Sequence, residues 1–265
     1  MGEAIDYYAD GSMSAALYDF VESAIQLTRG DVEFYLELAA ATGGPVLEVG
    51  TGTGRVAWRL ADAGYEVVGV DLAAGMLKQA AAKGAGRADA GRVRFVRQNM
   101  TALDLGRRFP LALVTYRTFN YLLTPDDQRR ALLALRGHLA PGGRAALHLF
   151  DPPPDLFTSA ELFERHRHLN IVHPRTRDVL RWRIEERQVD HASQRLTQIV
   201  TYRIERPDGT RGRESREVIE QRWSFPDELR QQFDAAGFAV EALYSDFAKS
   251  PPEAGKEQIW VLRGL

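Results

Sequence analysis

The sequence predicts an α/β protein: a doubly wound seven-stranded sheet, mostly parallel, preceded by helices and interrupted by an inserted antiparallel sheet. Three observations predict it. Short apolar runs alternate with helical stretches between residues 46 and 150, the pattern of a parallel sheet with right-handed crossovers. Those runs are nearly continuous Val, Leu and Ala, as strands covered on both faces require. From 180 to 223 the pattern becomes a period-two alternation with one charged side, as in an antiparallel sheet with one wet face.

The elements follow in order. Ala15 to Val21 and Val32 to Ala40 carry apolar residues at helical spacing, broken at Thr28-Arg29-Gly30, with Asp31 placed to cap the second stretch. Ala41-Thr42-Gly43-Gly44-Pro45 is a stop signal. Strands are expected at 46–49, 66–70, 93–97, 111–116 and 144–150, with helices at 55–63, 74–82 and 125–139. Pro141-Gly142-Gly143 turns into the fifth strand, and Asp151-Pro152-Pro153-Pro154 cannot continue it, because the prolines lack an N–H. Beyond it, Leu180, Trp182 and Ile184 alternate with Arg181, Arg183 and Glu185, and Leu196, Val200, Tyr202 and Ile204 with Arg195, Thr197, Thr201 and Arg203. Pro207-Asp208-Gly209 turns into a strand from Glu214 to Trp223. A helix at 226–236 ends on Gly237, and strands at 238–244 and 258–262 complete the core sheet. The expected organisation is 1–40 helical, 41–150 parallel core, 151–225 inserted antiparallel sheet and 226–265 the closing helix and strands.

Composition narrows the function. The chain has 265 residues, 45% of them apolar, so a sizeable core is available. Lys and Arg number 34 against 36 Asp and Glu, which argues against non-specific binding to nucleic acid or a membrane surface. The absence of cysteine removes disulfides, Cys-based zinc sites and a thiol nucleophile. No apolar run approaches the roughly 18–20 residues that span a bilayer. The polar start MGEAIDYYADGSMS does not read as a secretory signal, and Gly2 lacks a serine at the myristoylation spacing. The expectation is a cytoplasmic protein acting on something small or on another protein.

The chemistry concentrates in Val46-Leu47-Glu48-Val49-Gly50-Thr51-Gly52-Thr53-Gly54-Arg55-Val56, a strand, a glycine loop and a helix start. Glycines let the backbone take positive φ or approach a ligand closely, and the helix behind offers N–H groups to an anion. The spacing separates this loop from its relatives. A dinucleotide fingerprint needs a glycine where Arg55 stands, and a phosphate loop needs Gly-Lys-Ser/Thr where Arg55-Val56 stands. Glu48, two residues before the first glycine, would repel a pyrophosphate and attract an ammonium or sulfonium. Asp71 ends the next strand, where it can accept two ribose hydroxyls or cap the helix that follows, or both. Gln98-Asn99-Met100 ends the third, where an amide could read an adenine edge and Met100 cover the ring.

These residues resemble the class I S-adenosylmethionine-dependent methyltransferases, a Rossmann-like family. Glu48-Val49-Gly50-Thr51-Gly52-Thr53-Gly54 resembles its E/D-x-G-x-G-x-G motif, Asp71 its ribose-binding acid, and Gly75-Met76-Leu77 the helix start beside the adenine. Asn99-Met100 stands where the family has Asp-Met or Asp-Ala, a departure, and Leu139-Ala140-Pro141-Gly142-Gly143 resembles its L-x-P-G-G turn. The resemblance implies S-adenosylmethionine as cofactor, S-adenosylhomocysteine as product, and a cofactor site made of Tyr18, Glu48, Gly50, Thr51, Gly52, Arg55, Asp71, Leu72, Met76, Asn99, Met100 and Tyr116. The N-terminal helices then fit a lid, and the inserted sheet is similar in architecture to that of bacterial small-molecule methyltransferases such as sugar N-methyltransferases of antibiotic pathways.

Methyl transfer is an in-line displacement for which the protein mainly aligns donor and nucleophile, worth on the order of 7–11 kcal/mol. Tyr116, Phe119 and Tyr121 are candidates to stabilise the sulfonium charge, with core packing as the competing role for the last two. A hydroxyl substrate needs a general base and an amine needs little beyond desolvation; His148 is the leading base, with Tyr116 the other catalytic candidate. His166, His168 and His173 stand at the insert, and no metal pattern accompanies them. The expected partner is a small molecule accepting at N or O, with no nucleic acid and no membrane. A homodimer across the exposed face of the insert, and a cofactor-binding protein of another activity (aminopropyl transfer or regulatory binding), stay open.

Overall fold

The computed structural model describes residues 4–153 and 155–265; Gly2 and Pro154, on which two expectations rest, lie outside them. In chain order the elements are β1 (Ile5–Asp6), α1 (Met13–Ala16), α2 (Tyr18–Ile25), α3 (Asp31–Thr42), β2 (Val46–Val49), α4 (Arg55–Asp62), β3 (Val67–Asp71), α5 (Ala74–Ala82), β4 (Val93–Arg97), β5 (Phe109–Val114), α6 (Pro125–Gly137), β6 (Leu139–Phe150), α7 (Ala160–His166), β7 (His168–Val172), β8 (Val179–Asp190), β9 (Arg195–Glu205), β10 (Arg211–Arg222), α8 (Pro226–Ala235), β11 (Phe238–Tyr244) and β12 (Glu257–Gly264). They form two compact units, one of residues 28–152 and 222–265, the other of 1–27 and 153–221.

The larger unit holds the seven-stranded sheet, ordered β11-β12-β6-β5-β2-β3-β4. The five strands from β6 to β4 run parallel, and β12 and β11 close the edge antiparallel. Both faces are covered. Phe34, Tyr35 and Ala39 of α3 and Val56, Ala57 and Leu60 of α4 pack on Val46, Val67, Leu111, Leu113 and Ala146. On the opposite face, Ala131, Leu132 and Leu135 of α6 and Leu229 and Phe233 of α8 meet Leu47, Val70, Ala112 and Trp260. Two-sided burial explains why these strands lack alternation in the sequence. Strand order reverses between β2 and β5, so a crevice opens at their carboxyl ends.

The smaller unit holds a five-stranded sheet ordered β1-β10-β9-β8-β7, in which β7, β8 and β9 pair antiparallel and β1 adds parallel to β10. Buried Leu180, Ile184, Leu196, Val200 and Tyr202 make its dry face, as the alternation predicts. Its first helix is anchored by a buried carboxylate: Glu217 accepts from the N–H groups of Met13 at 2.7 Å and Ser14 at 3.2 Å.

Several boundaries differ from expectation. The first helical stretch is broken into α1 and α2 at Leu17. Gly30, not Asp31, is the N-cap of α3, and Asp31 stands in the first turn with its carboxylate turned to Arg55. Strand β5 stops at Val114 because Tyr116 and Arg117 both take left-handed backbone, at φ 50° and 62°. Strand β6 begins at Leu139 and carries the Pro141-Gly142-Gly143 turn as an irregularity against β5. The short elements β1, α7 and β7 have no counterpart in the expected list; β1 is held by pairing with β10, and β7 by pairing with β8.

Candidate active site

The glycine loop sits at the reversal point. Gly50 and Thr51 both donate to the Val70 carbonyl, at 2.7 and 2.9 Å, which ties the loop to the neighbouring strand β3. Gly50, Gly52 and Gly54 all have positive φ. At Gly52 a β-carbon would meet nothing closer than the Met76 methyl at 3.5 Å, so the loop leaves its surface bare for a ligand. Asp71 points at this turn: one carboxylate oxygen accepts from Gly52 N–H at 2.8 Å and the other from Ala73 N–H at 2.9 Å. It ties the glycine turn to the segment that leads into α5, and a carboxylate so placed has acceptor capacity for a hydroxyl donor. Leu72 beside it is largely exposed, while Met76 is buried next to the loop.

Glu48 lies beneath the loop, buried, accepting from Thr51 at 2.7 Å and Thr115 at 3.1 Å. Burial pushes its carboxyl up to about 7 from the ordinary 4.5. The folded chain thus binds a proton that the unfolded chain has released across that window. Stability of the cofactor-free protein should fall by about 3 kcal/mol as pH rises through it. Urea unfolding at pH 5 and pH 8 reads this loss, and Glu48→Gln should remove most of the slope and be the more stable protein at pH 8.

The other expected residues distribute unevenly. Arg55 opens α4 but turns its guanidinium back onto Asp31, in a two-bond fork, and onto Thr28 at 3.2 Å. The guanidinium also lies 5.8 Å from the Tyr116 ring centroid. Asn99 spends its side-chain oxygen locally, on Thr101 N–H at 2.9 Å and the Thr101 hydroxyl at 3.0 Å, and its amide nitrogen is what it has to offer outward. Met100 packs partly into the core with Val49, Leu103 and Phe119. Phe119 itself is buried in that core, so of its two expected roles it takes packing. Tyr18 belongs to the smaller unit, where it opens α2 with its ring edge-on to Tyr8 at 5.9 Å. His166 and His173 are also there, engaged with the Leu162 carbonyl and the Thr176 N–H. Among the described residues no His, Asp and Glu group could hold a metal ion, and no helix is long and apolar enough to cross a membrane.

His148 is enclosed. Its side chain has no exposed surface, and its ring stands edge-on to Phe247 at 5.0 Å. Nε2 bonds Glu257 at 2.8 Å. The same carboxylate is forked by Arg117, through Nε at 3.0 Å and through Nη2, and its two partners hold it at about 2. An ionised carboxylate only accepts, so the proton lies on Nε2. Nδ1 is buried without a hydrogen-bond partner, and burial lowers the pKa of the ring, keeping it neutral. Sequence reading missed Glu257, Arg117 as its partner, and Thr115. No local signal marks Glu257, which β12 brings beside His148 across the sheet.

The residues fit adenosine chemistry on their own geometry: a bare glycine turn, a carboxylate aimed at it with lone pairs to spare, an exposed apolar side chain next to it, and a buried acid behind. The comparisons agree. Residues 46–143 match the model of a methyltransferase domain. A Geobacillus sp. (strain WCH70) chain described as a candidate methyltransferase is 27% identical over 98% of both chains. The solved CcbJ methyltransferase of Streptomyces caelestis is 25% identical, covers 98% of each chain and superposes with a TM-score of 0.76. Calicheamicin-pathway CalS10 of Micromonospora echinaspora, an amino pentose methyltransferase solved with S-adenosylmethionine bound, shares the fold at 21% identity, 94% and 97% coverage and a TM-score of 0.70. The domain match, the full-length relatives and the shared fold support a class I S-adenosylmethionine-dependent methyltransferase, with the methyltransferase domain at residues 46–143.

Proposed function

We propose that the enzyme methylates an amine nitrogen of a small molecule, of the amino-sugar class. The observation that carries this reading is His148, neutral and enclosed, with a bare Nδ1. A hydroxyl needs a base in contact before it attacks, whereas a neutral amine attacks with its own lone pair and sheds a proton afterwards. An enclosed acceptor suits the second order of events. CalS10 acts on an amino pentose, which supports the same class.

S-adenosylmethionine, when bound, would supply an activated sulfonium methyl group. In this reading Asp71 holds the ribose hydroxyls and Leu72 and Met76 flank the adenine, with the Asn99 amide nitrogen and Met100 at its edge. Gly50, Thr51 and Gly52 line the path to the methionine part. Glu48 receives the cofactor's ammonium, and a cation there returns its carboxyl to the ionised form. Arg55 keeps Tyr116 in place, and the Tyr116 ring faces the sulfonium charge. His148 takes up the proton that the methylated nitrogen releases.

A paired substrate panel tests the proposal: amino sugars against the same sugars with hydroxyl in place of amine. Turnover, read as S-adenosylhomocysteine formed, is expected only with the amines. Methylation of the hydroxyl sugars at a comparable rate would refute nitrogen as the acceptor.

A further inference from the structure

We infer that Arg117 and Glu257 are positioning residues for His148: they lock its ring with the proton on Nε2, so that Nδ1 stands as an acceptor. This rests on the reading of His148 as the proton acceptor.

The geometry carries the inference. One oxygen of Glu257 receives both His148 Nε2 at 2.8 Å and Arg117 Nε at 3.0 Å, and Arg117 Nη2 takes the other. The carboxylate is thus fixed from two sides, and it fixes the ring in turn. A histidine kept only for packing would be out of place here. An unsatisfied buried acceptor costs about 1–3 kcal/mol, and an apolar ring would fill the space without that cost. Nδ1 is such an acceptor, and a catalytic role is one reason for which such a group is kept.

The backbone points the same way. Arg117 follows Tyr116, and both sit in the left-handed region, at φ 62° and 50°. Non-glycine residues held so cost on the order of 1–3 kcal/mol each, and they persist where surrounding contacts over-determine them. The contacts at Arg117 are the fork on Glu257 and a stack over Phe150, 4.7 Å from its centroid.

The charged groups that act on His148 come from three elements. Glu257 on β12 favours the imidazolium, as does Asp31 on α3 at longer range, and Arg117 in the segment after β5 opposes them. Asp31 is itself forked to Arg55, and neutral Tyr35 shares the Phe247 ring with His148, at 5.8 Å. Removing Arg117 uncovers Glu257 and raises the pKa of the ring; removing the Glu257 charge lowers it.

The test combines 15N NMR of histidine-labelled enzyme with the pH dependence of kcat/KM on an amine substrate. The His148 signal is assigned by its loss in His148→Gln. Wild-type His148 should appear as the Nε2–H tautomer. Arg117→Met should move the acidic limb to higher pH and Glu257→Gln to lower pH, each lowering kcat about tenfold or more with little change in KM. Arg117→Lys keeps the charge but loses the fork, so it should lower kcat and leave the limb in place. An Nδ1–H tautomer in the wild-type enzyme overturns the inference without any variant, as does an unmoved limb in both folded variants. Full kcat and an unchanged acidic limb in His148→Gln would instead remove the proton-acceptor reading beneath it.

Discussion

Asp71→Ala should weaken S-adenosylhomocysteine binding at least about a hundredfold, the loss expected when two hydroxyl-to-carboxylate hydrogen bonds disappear. The carboxylate also holds the loop, through Gly52 N–H at 2.8 Å, so the raw loss mixes ribose recognition with loop support. A cycle with a 2′,3′-dideoxy analogue separates them. The analogue should bind wild type far more weakly than S-adenosylhomocysteine does, and Asp71→Ala should no longer distinguish the two ligands. Calorimetry reads all four affinities. A variant that still discriminates between them would show that the ribose is held elsewhere.

Gly50→Ala should abolish measurable cofactor binding. The added carbon would lie 2.2 Å from the Thr118 methyl and 2.4 Å from its hydroxyl, on a residue at φ 74°. Thr118 has little room to yield, because it is β-branched and its hydroxyl bonds the Thr115 carbonyl at 2.7 Å. Thr115 in turn bonds Glu48, so the clash reaches the buried acid. The steric part should be reversible. Gly50→Ala with Thr118→Gly removes the collision and leaves only the left-handed strain, about 1–2 kcal/mol. The double variant should therefore bind more tightly than Gly50→Ala alone. A double variant no better than the single one would place the defect in backbone strain and not in the Thr118 contact.

Much of this site was legible because its signals are local. Glu48, the three glycines and Asp71 lie within 46–71, on two strands that pair in parallel. The residues that end each strand arrive together once the strands do. Asn99 stands two residues past the end of β4, and its side-chain oxygen is consumed by Thr101 two residues on, a local competition that propensity for turns and caps foreshadows. Arg55 was read for its position at the helix start. Its charge is instead neutralised by Asp31, 24 residues earlier, because α3 and α4 pack side by side on one face of the sheet.

The sequence by itself determined the alternation of strand and helix, the glycine turn and its acid, and the one-sided strands of the second unit, since each is a periodicity or a short spacing. Tertiary structure alone decided what surrounds His148. Its carboxylate partner is 109 residues away and the arginine that steadies that partner 140 residues from it. They meet because the last strand folds back antiparallel beside β6, in a register that sets Ile259 against His148. Side-chain period along a strand tells which face a residue takes, but only the pairing between strands tells which residue stands next to it.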